Sequence, residues 1–151
     1  MLSGVPPLPS VCAMPILEVH LVEGMHTPAQ HAELLTAMSV RYAEVLESPL
    51  ERVRGYVTLH RPEQWATAGV PAAGESAPYF TAIVLQGRPA EQRQRLLGAF
   101  TDILVDVLGV DRRLVRGRII QVHPDDWAIG GVPASAVRRN EIAARAAASP
   151  G

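Results

Sequence analysis

Pro15 follows Met14 and leads straight into an alternating apolar segment, Ile16-Leu17-Glu18-Val19-His20-Leu21-Val22. Loss of the chain through Met14 would leave Pro15 as a free secondary amine at the terminus. An amide nitrogen is not a base, whereas a terminal amine is one, with an ordinary pKa slightly above neutrality. The other reactive side chains say less. His20, His26, His31, His60 and His123 share no metal-ligand spacing; His26 and His31 stand five apart, off a common helical face. They read as surface or core histidines. Cys12 stands alone, which excludes an internal disulfide framework and a cysteine-based zinc site. Asp125-Asp126 reads as a turn-forming acidic pair. Taken singly, Trp65 and Trp127 are core or interface aromatics, Arg54 and Arg116 strand surface charges, and Arg88 a helix-start residue.

These residues need a frame. The 151 residues suit one domain, and 48 % hydrophobic against 19 % charged residues allow a true core. A net charge of −1 gives no basic field for nucleic acid or an anionic membrane. Apolar runs such as Ala82-Ile83-Val84-Leu85 are too short to span a bilayer. Met1–Ala13 carries three prolines and no charge, unlike a secretory signal, so residues 1–14 read as a leader or misassigned start, removed or disordered. A soluble, cytoplasmic protein is expected.

The chain repeats itself. Glu51–Pro71 aligned on Arg113–Pro133 matches at Val53/Val115, Arg54/Arg116, Gly55/Gly117, Pro62/Pro124, Trp65/Trp127, Ala66/Ala128, Gly69/Gly131, Val70/Val132 and Pro71/Pro133, nine of 21 pairs. Pro15 matches Pro78 and Gly24 matches Gly87 at an offset longer by one, so a residue shifts before the helix. Each half predicts a strand (about Pro15–Glu23, then about Tyr79–Gln86) and a helix with Pro28 or Pro89 in its first turn. A second strand (about Val53–His60, then about Leu114–Val122), a turn ending in tryptophan and a Gly-Val-Pro stop follow. Leu34, Leu35, Met38, Tyr42, Val45 and Leu46 keep helical spacing, as do Leu96, Leu97, Phe100, Ile103, Leu104, Val107 and Leu108, with Gly109 closing the second helix. The expected fold is α+β: tandem duplicated β-α-β units, 15–71 and 72–133, forming a four-stranded mixed sheet with two helices on one face. The other face, left bare, predicts oligomerisation. Residues 134–151 read as an Ala- and Arg-rich tail with a short helix.

Met14-Pro15-Ile16, the Glu-Gly after the first strand, the Val-Arg before the second and Trp127-Ala128-Ile129-Gly130-Gly131 resemble the 4-oxalocrotonate tautomerase family. The chain is most similar to fused members with two units per polypeptide, a subgroup that includes cis-3-chloroacrylic acid dehalogenase and malonate semialdehyde decarboxylase. The resemblance covers Pro15–Pro133 and implies a homotrimer, a small carboxylate substrate and no cofactor or metal. It also implies that an amino-terminal proline is the general base, here Pro15. An arginine after the first strand holds the carboxylate: Arg88 in the second half, where the first half has Met25. A second-strand arginine, Arg116 or Arg54, does the same, and Trp127 or Trp65 walls the site. The proline of one unit works with the first arginine and aromatic of the other. Pro15, Arg88 and Trp127 would make one complete site, and Pro78, Met25 and Trp65 an inactive one.

The implied chemistry is a tautomerase acting on a 2-hydroxydienoate or enol–keto carboxylic acid. Arginines near the amine lower its pKa by like-charge repulsion, and burial against Trp127 and Ile129 acts the same way. A neutral amine moves a proton between positions while guanidinium groups hold the carboxylate and developing enolate charge. The dehalogenase and hydratase branch adds a carboxylate where this chain has Ile129, an arginine where it has Leu85, and a helix histidine matching Tyr42. These departures count against dehalogenation. Decarboxylation stays open because Arg118 shares a strand face with Arg116, and Glu18, Glu51 or Asp126 could reach the site. With Pro15 blocked, the alternative is a catalytically inactive oligomeric binding protein.

Overall fold

A computed structural model describes residues 15–137. The expected leader, Cys12 and the tail beyond residue 137 lie outside the described residues, and residues 134–137 are helical. The long elements are β1 (Ile16–Val22), α1 (Pro28–Leu46), β2 (Arg54–His60), β5 (Tyr79–Leu85), α2 (Ala90–Leu108) and β6 (Arg116–Val122). They form a sheet of order β2-β1-β5-β6. β1 runs parallel to β2 and β5 parallel to β6, while β1 and β5 are antiparallel at the centre. This is the expected mixed sheet of two β-α-β units joined edge to edge.

Side-chain alternation decides the layers. Leu17, Val19 and Leu21 of β1 and Phe80, Ala82 and Val84 of β5 point to one face. There they meet Leu34, Met38, Tyr42 and Leu46 of α1 and Leu96, Phe100 and Leu104 of α2 in one buried cluster. The α1 set recurs every four residues and is fully buried; each such side chain contributes about 1.5–3 kcal/mol by leaving water.

The duplication extends to hydrogen bonds. Gln30 donates to the Val107 carbonyl at 3.3 Å, and its counterpart Gln92 donates to the Val45 carbonyl at 2.7 Å. Each helix start is thereby tied to the other helix end, where carbonyls lack intrahelical partners. β1 and β5 are offset by 63 residues but the helices by 62, so the extra residue falls in the β1–α1 loop. That loop is closed by a capping box between Thr27 and Gln30.

Two details differ from the sequence expectation. Pro89 caps α2 with an extended ψ of 148° rather than occupying its first turn; with no N–H to donate, it suits either place. Val70–Pro71 and Val132–Pro133 are not stops. They are the return strands β4 and β8 of small hairpins with β3 (Ala66–Thr67) and β7 (Ala128–Ile129). Gly69 and Gly131 supply the positive φ those turns need.

Candidate active site

Pro15 is buried at the head of β1, and its carbonyl accepts the Arg54 N–H at 2.9 Å. Pro78 is likewise buried and accepts from Arg116 at 3.0 Å. The antiparallel register pairs Ile16 with Ile83, so one step further sets Pro15 opposite Val84 and next to Leu85. From there the chain turns through Gly87, at φ 115°, to Arg88 at the entry of α2. Leu85 also packs with Val122, Trp127, Ile129 and Ala134. Pro15, Arg88, Trp127 and Ile129 therefore share one end of the sheet.

Arg88 is half-buried; its Nη1 donates to Gln92 at 3.4 Å and its carbonyl accepts from Arg93. The Trp127 indole N–H is sealed from solvent with no hydrogen-bond partner among the described residues. Arg54 stands at the same end as Pro15, beside Ile16, with Nη1 on the Glu51 and Val53 carbonyls. Arg116 pairs with Tyr79 and belongs to the opposite end, beside Pro78; Arg118 pairs with Thr81, one step inward on the same face. Within one chain, then, Arg116 and Pro15 are not brought together.

Tyr42, matched above to a helix histidine, is a core residue. It lies on the core face of α1, fully buried, and its hydroxyl donates to the Ile83 carbonyl at 2.6 Å. Burial pushes its pKa well up, with the Arg88 charge opposing. It is a structural neutral phenol. Among the other titratable groups, His26 has a lowered pKa through burial and the charge of His31, and it contacts Ser76 at 2.8 Å.

Sequence reasoning missed a polar cluster on the helix-free face. His20 Nδ1 lies 2.8 Å from His60 Nε2, and His20 Nε2 lies 3.3 Å from Glu18 Oε2. Thr58 donates to the same carboxylate oxygen at 2.6 Å. The alternation of β1 already set Glu18 and His20 on one face; adding Thr58 and His60 needed the β1–β2 register. Among the described residues no group of three or more His, Cys, Asp or Glu could hold a metal ion, and no helix is long and apolar enough to cross a membrane.

The sequence family described as "Tautomerase enzyme" matches residues 78–136. A probable tautomerase of Ralstonia nicotianae is 34 % identical over 61 residues, 40 % of this chain and 87 % of the relative. A crystal structure of a native fused 4-OT is 31 % identical, covers 82 % of this chain and 99 % of its own, and superposes with a TM-score of 0.77. A second fused 4-OT, described as a symmetric trimer, is 27 % identical over 81 % of this chain and 98 % of its own, with a TM-score of 0.74.

Proposed function

The chain belongs to the tautomerase superfamily as a fused, two-unit member, and on that premise we propose that it is a cofactor-independent tautomerase of small enol–keto carboxylic acids. Pro15, exposed as a terminal amine by loss of residues 1–14, is the general base. It takes the enol hydroxyl proton; the O–H electron pair becomes the carbonyl π bond, and the former alkene carbon accepts the proton in return. Arg88 holds the substrate carboxylate, and Trp127 with Ile129 walls the pocket. Arg54 of the same chain, or Arg116 of a neighbouring one, supplies the second guanidinium. Arginines fit this task because their planar fork matches a carboxylate and their charge offsets that of the developing enolate.

The observation that carries this reading is the register of β1 on β5, which runs the Pro15 end of one unit against the Arg88 end of the other. The equivalent position in the first unit is Met25, which has no charge to offer, so one proline-based site per chain follows. The functional assembly is a homotrimer, as in the fused 4-OT described as a symmetric trimer; the helix-free sheet face is the surface that neighbours cover.

The test is ketonisation of phenylenolpyruvate or 2-hydroxymuconate, followed by absorbance, using chains that begin at Pro15 and at Met1. The Pro15 form is expected to be active and the Met1 form silent. Pro15→Ala should cost about 10²–10⁴-fold in kcat/KM, the usual worth of a positioned base. Arg88→Ala should raise KM by about tenfold or more, about 1.4 kcal/mol of lost binding. Activity unchanged in Pro15→Ala would remove the amine from the mechanism. Silence of the Pro15 form would favour a carboxylate-binding protein.

A further inference from the structure

At the Pro78 end of the sheet lies a groove of about 340 Å³ lined by Trp65, Ala66, Thr67, Ala77, Tyr79 and Arg116. Its two aromatic walls are held by the polar cluster on the helix-free face. The Tyr79 ring stacks on His20, with centroids 5.5 Å apart and planes at 21°. Trp65 leans on His60 at 5.1 Å. The two imidazoles are hydrogen-bonded to each other, and the Glu18 carboxylate lies 3.3 Å from His20 Nε2. Both walls thus rest on one polar series, Thr58, Glu18, His20 and His60, with a hydrogen bond at either end and the 3.3 Å contact of Glu18 with His20 between them.

The groove also carries recognition chemistry. Both described side-chain hydrogen bonds of Arg116 use Nη1, to the Arg113 and Val115 carbonyls, and leave Nε and Nη2 outside them. The Thr67 hydroxyl is sealed from solvent with no hydrogen-bond partner among the described residues. A buried hydroxyl in that state is costly, and an oxygen atom of a ligand would relieve it.

Arg116 and Trp65 recur in the other unit as Arg54 and Trp127, but the groups around them do not. At the Pro15 end the counterparts of Tyr79, His20, Thr58, His60 and Thr67 are Ile16, Ile83, Ile120, Val122 and Ile129. At these five positions the same backbone framework is apolar at one end and carries hydrogen-bonding groups at the other. We propose that the Pro78 end is a second binding site, for a small carboxylate with an apolar body. Arg116 and Thr67 meet the carboxylate and Trp65 and Tyr79 flank the body. Pro78 lies within the chain and has no amine, so this site binds without the chemistry assigned to Pro15, with Arg54 rather than Arg116 as the second guanidinium there.

Trp127→Phe leaves Trp65 as the sole tryptophan of the two in the chain. In the full chain carrying Trp127→Phe and Arg88→Ala, which removes the tryptophan of the Pro15 end and weakens its hold on a carboxylate, titration with cyclohexanecarboxylate is expected to change Trp65 emission saturably. Cyclohexanemethanol, equal in shape but uncharged, should not. Arg116→Gln and, separately, Ala66→Phe should each weaken the apparent affinity tenfold or more, with folding checked by far-ultraviolet circular dichroism. No saturable change, or one that persists in whichever of these two variants folds, would overturn the proposal. An equal response to the uncharged alcohol would overturn it as well.

Discussion

Gly55 and Gly117 sit one residue into the second strand of each unit because a core side chain of the neighbouring strand lies across them. A Cβ on Gly55 would come 2.9 Å from Leu17 Cδ1, and one on Gly117 would overlap the buried ring of Phe80. A leucine terminus can swing aside, whereas a phenylalanine ring packed edge-on against Phe100 cannot. Gly117→Ala is therefore expected to lower stability by about 1–3 kcal/mol, the usual cost of overpacking, and Gly55→Ala by less. Urea midpoints of the two variants, measured side by side, check the order. At this scale the sequence was partly legible. Matching Val-Arg-Gly in both halves exposed the duplicated strand entry but not why glycine was required, since that depends on a contact across strands. Tyr42 was legible as a core residue from its four-residue spacing with Met38 and Leu46, but its bond to the Ile83 carbonyl was not, since that carbonyl lies on β5. His20 and His60 looked idle because 40 residues of sequence separate partners that the β1–β2 register makes neighbours.

Among the elements, α1 and α2 are equal in length, 19 residues each, but differ in how they end. Gly109 closes α2 at φ 69°, whereas Glu47 takes the same left-handed turn at φ 52° after α1. Glycine announces such a stop and glutamate does not, so only the second terminus could be read in advance. Inside α2, Gly98 is exposed with nothing within 4 Å of where a Cβ would stand. Gly98→Ala should therefore raise stability by about 0.5–1 kcal/mol through backbone entropy and helix propensity. A thermal melt that fails to rise would mean that a partner surface needs this gap. The strands were legible to within two residues because their alternation and β-branched content are strong signals. The two-residue hairpins were not, since Gly-Val-Pro carries the same composition in a stop as in a return strand.

For the whole molecule, one sheet face is covered by both helices while the other carries Tyr56, Glu18, Thr81 and Arg118 across its middle row. Val70 and Val132, at matching places on the two hairpins, stay 55 % and 41 % exposed. Exposed apolar side chains repeated by the duplication are what a self-association surface needs. Light scattering is expected to give three times the chain mass of 16.3 kDa, and a monomeric mass would contradict the proposed assembly. The bare face followed from counting helices against strands, so this much was readable before any coordinates. Which side chains would cross from one copy to the next was not, because the sequence holds the two halves of each contact without saying how the copies dock.

The central β1–β5 pairing has a consequence for how the protein is made. During synthesis β1, α1 and β2 emerge first, and the edge of β1 that will meet β5 stays open until residue 85 has left the ribosome. An open edge with apolar Leu17, Val19 and Leu21 beneath it is a template for any complementary strand. Two nascent chains on one messenger carry such edges at the same moment, so slower translation between residues 60 and 85 is expected to lengthen the time in which β1 is open to a neighbour's strand.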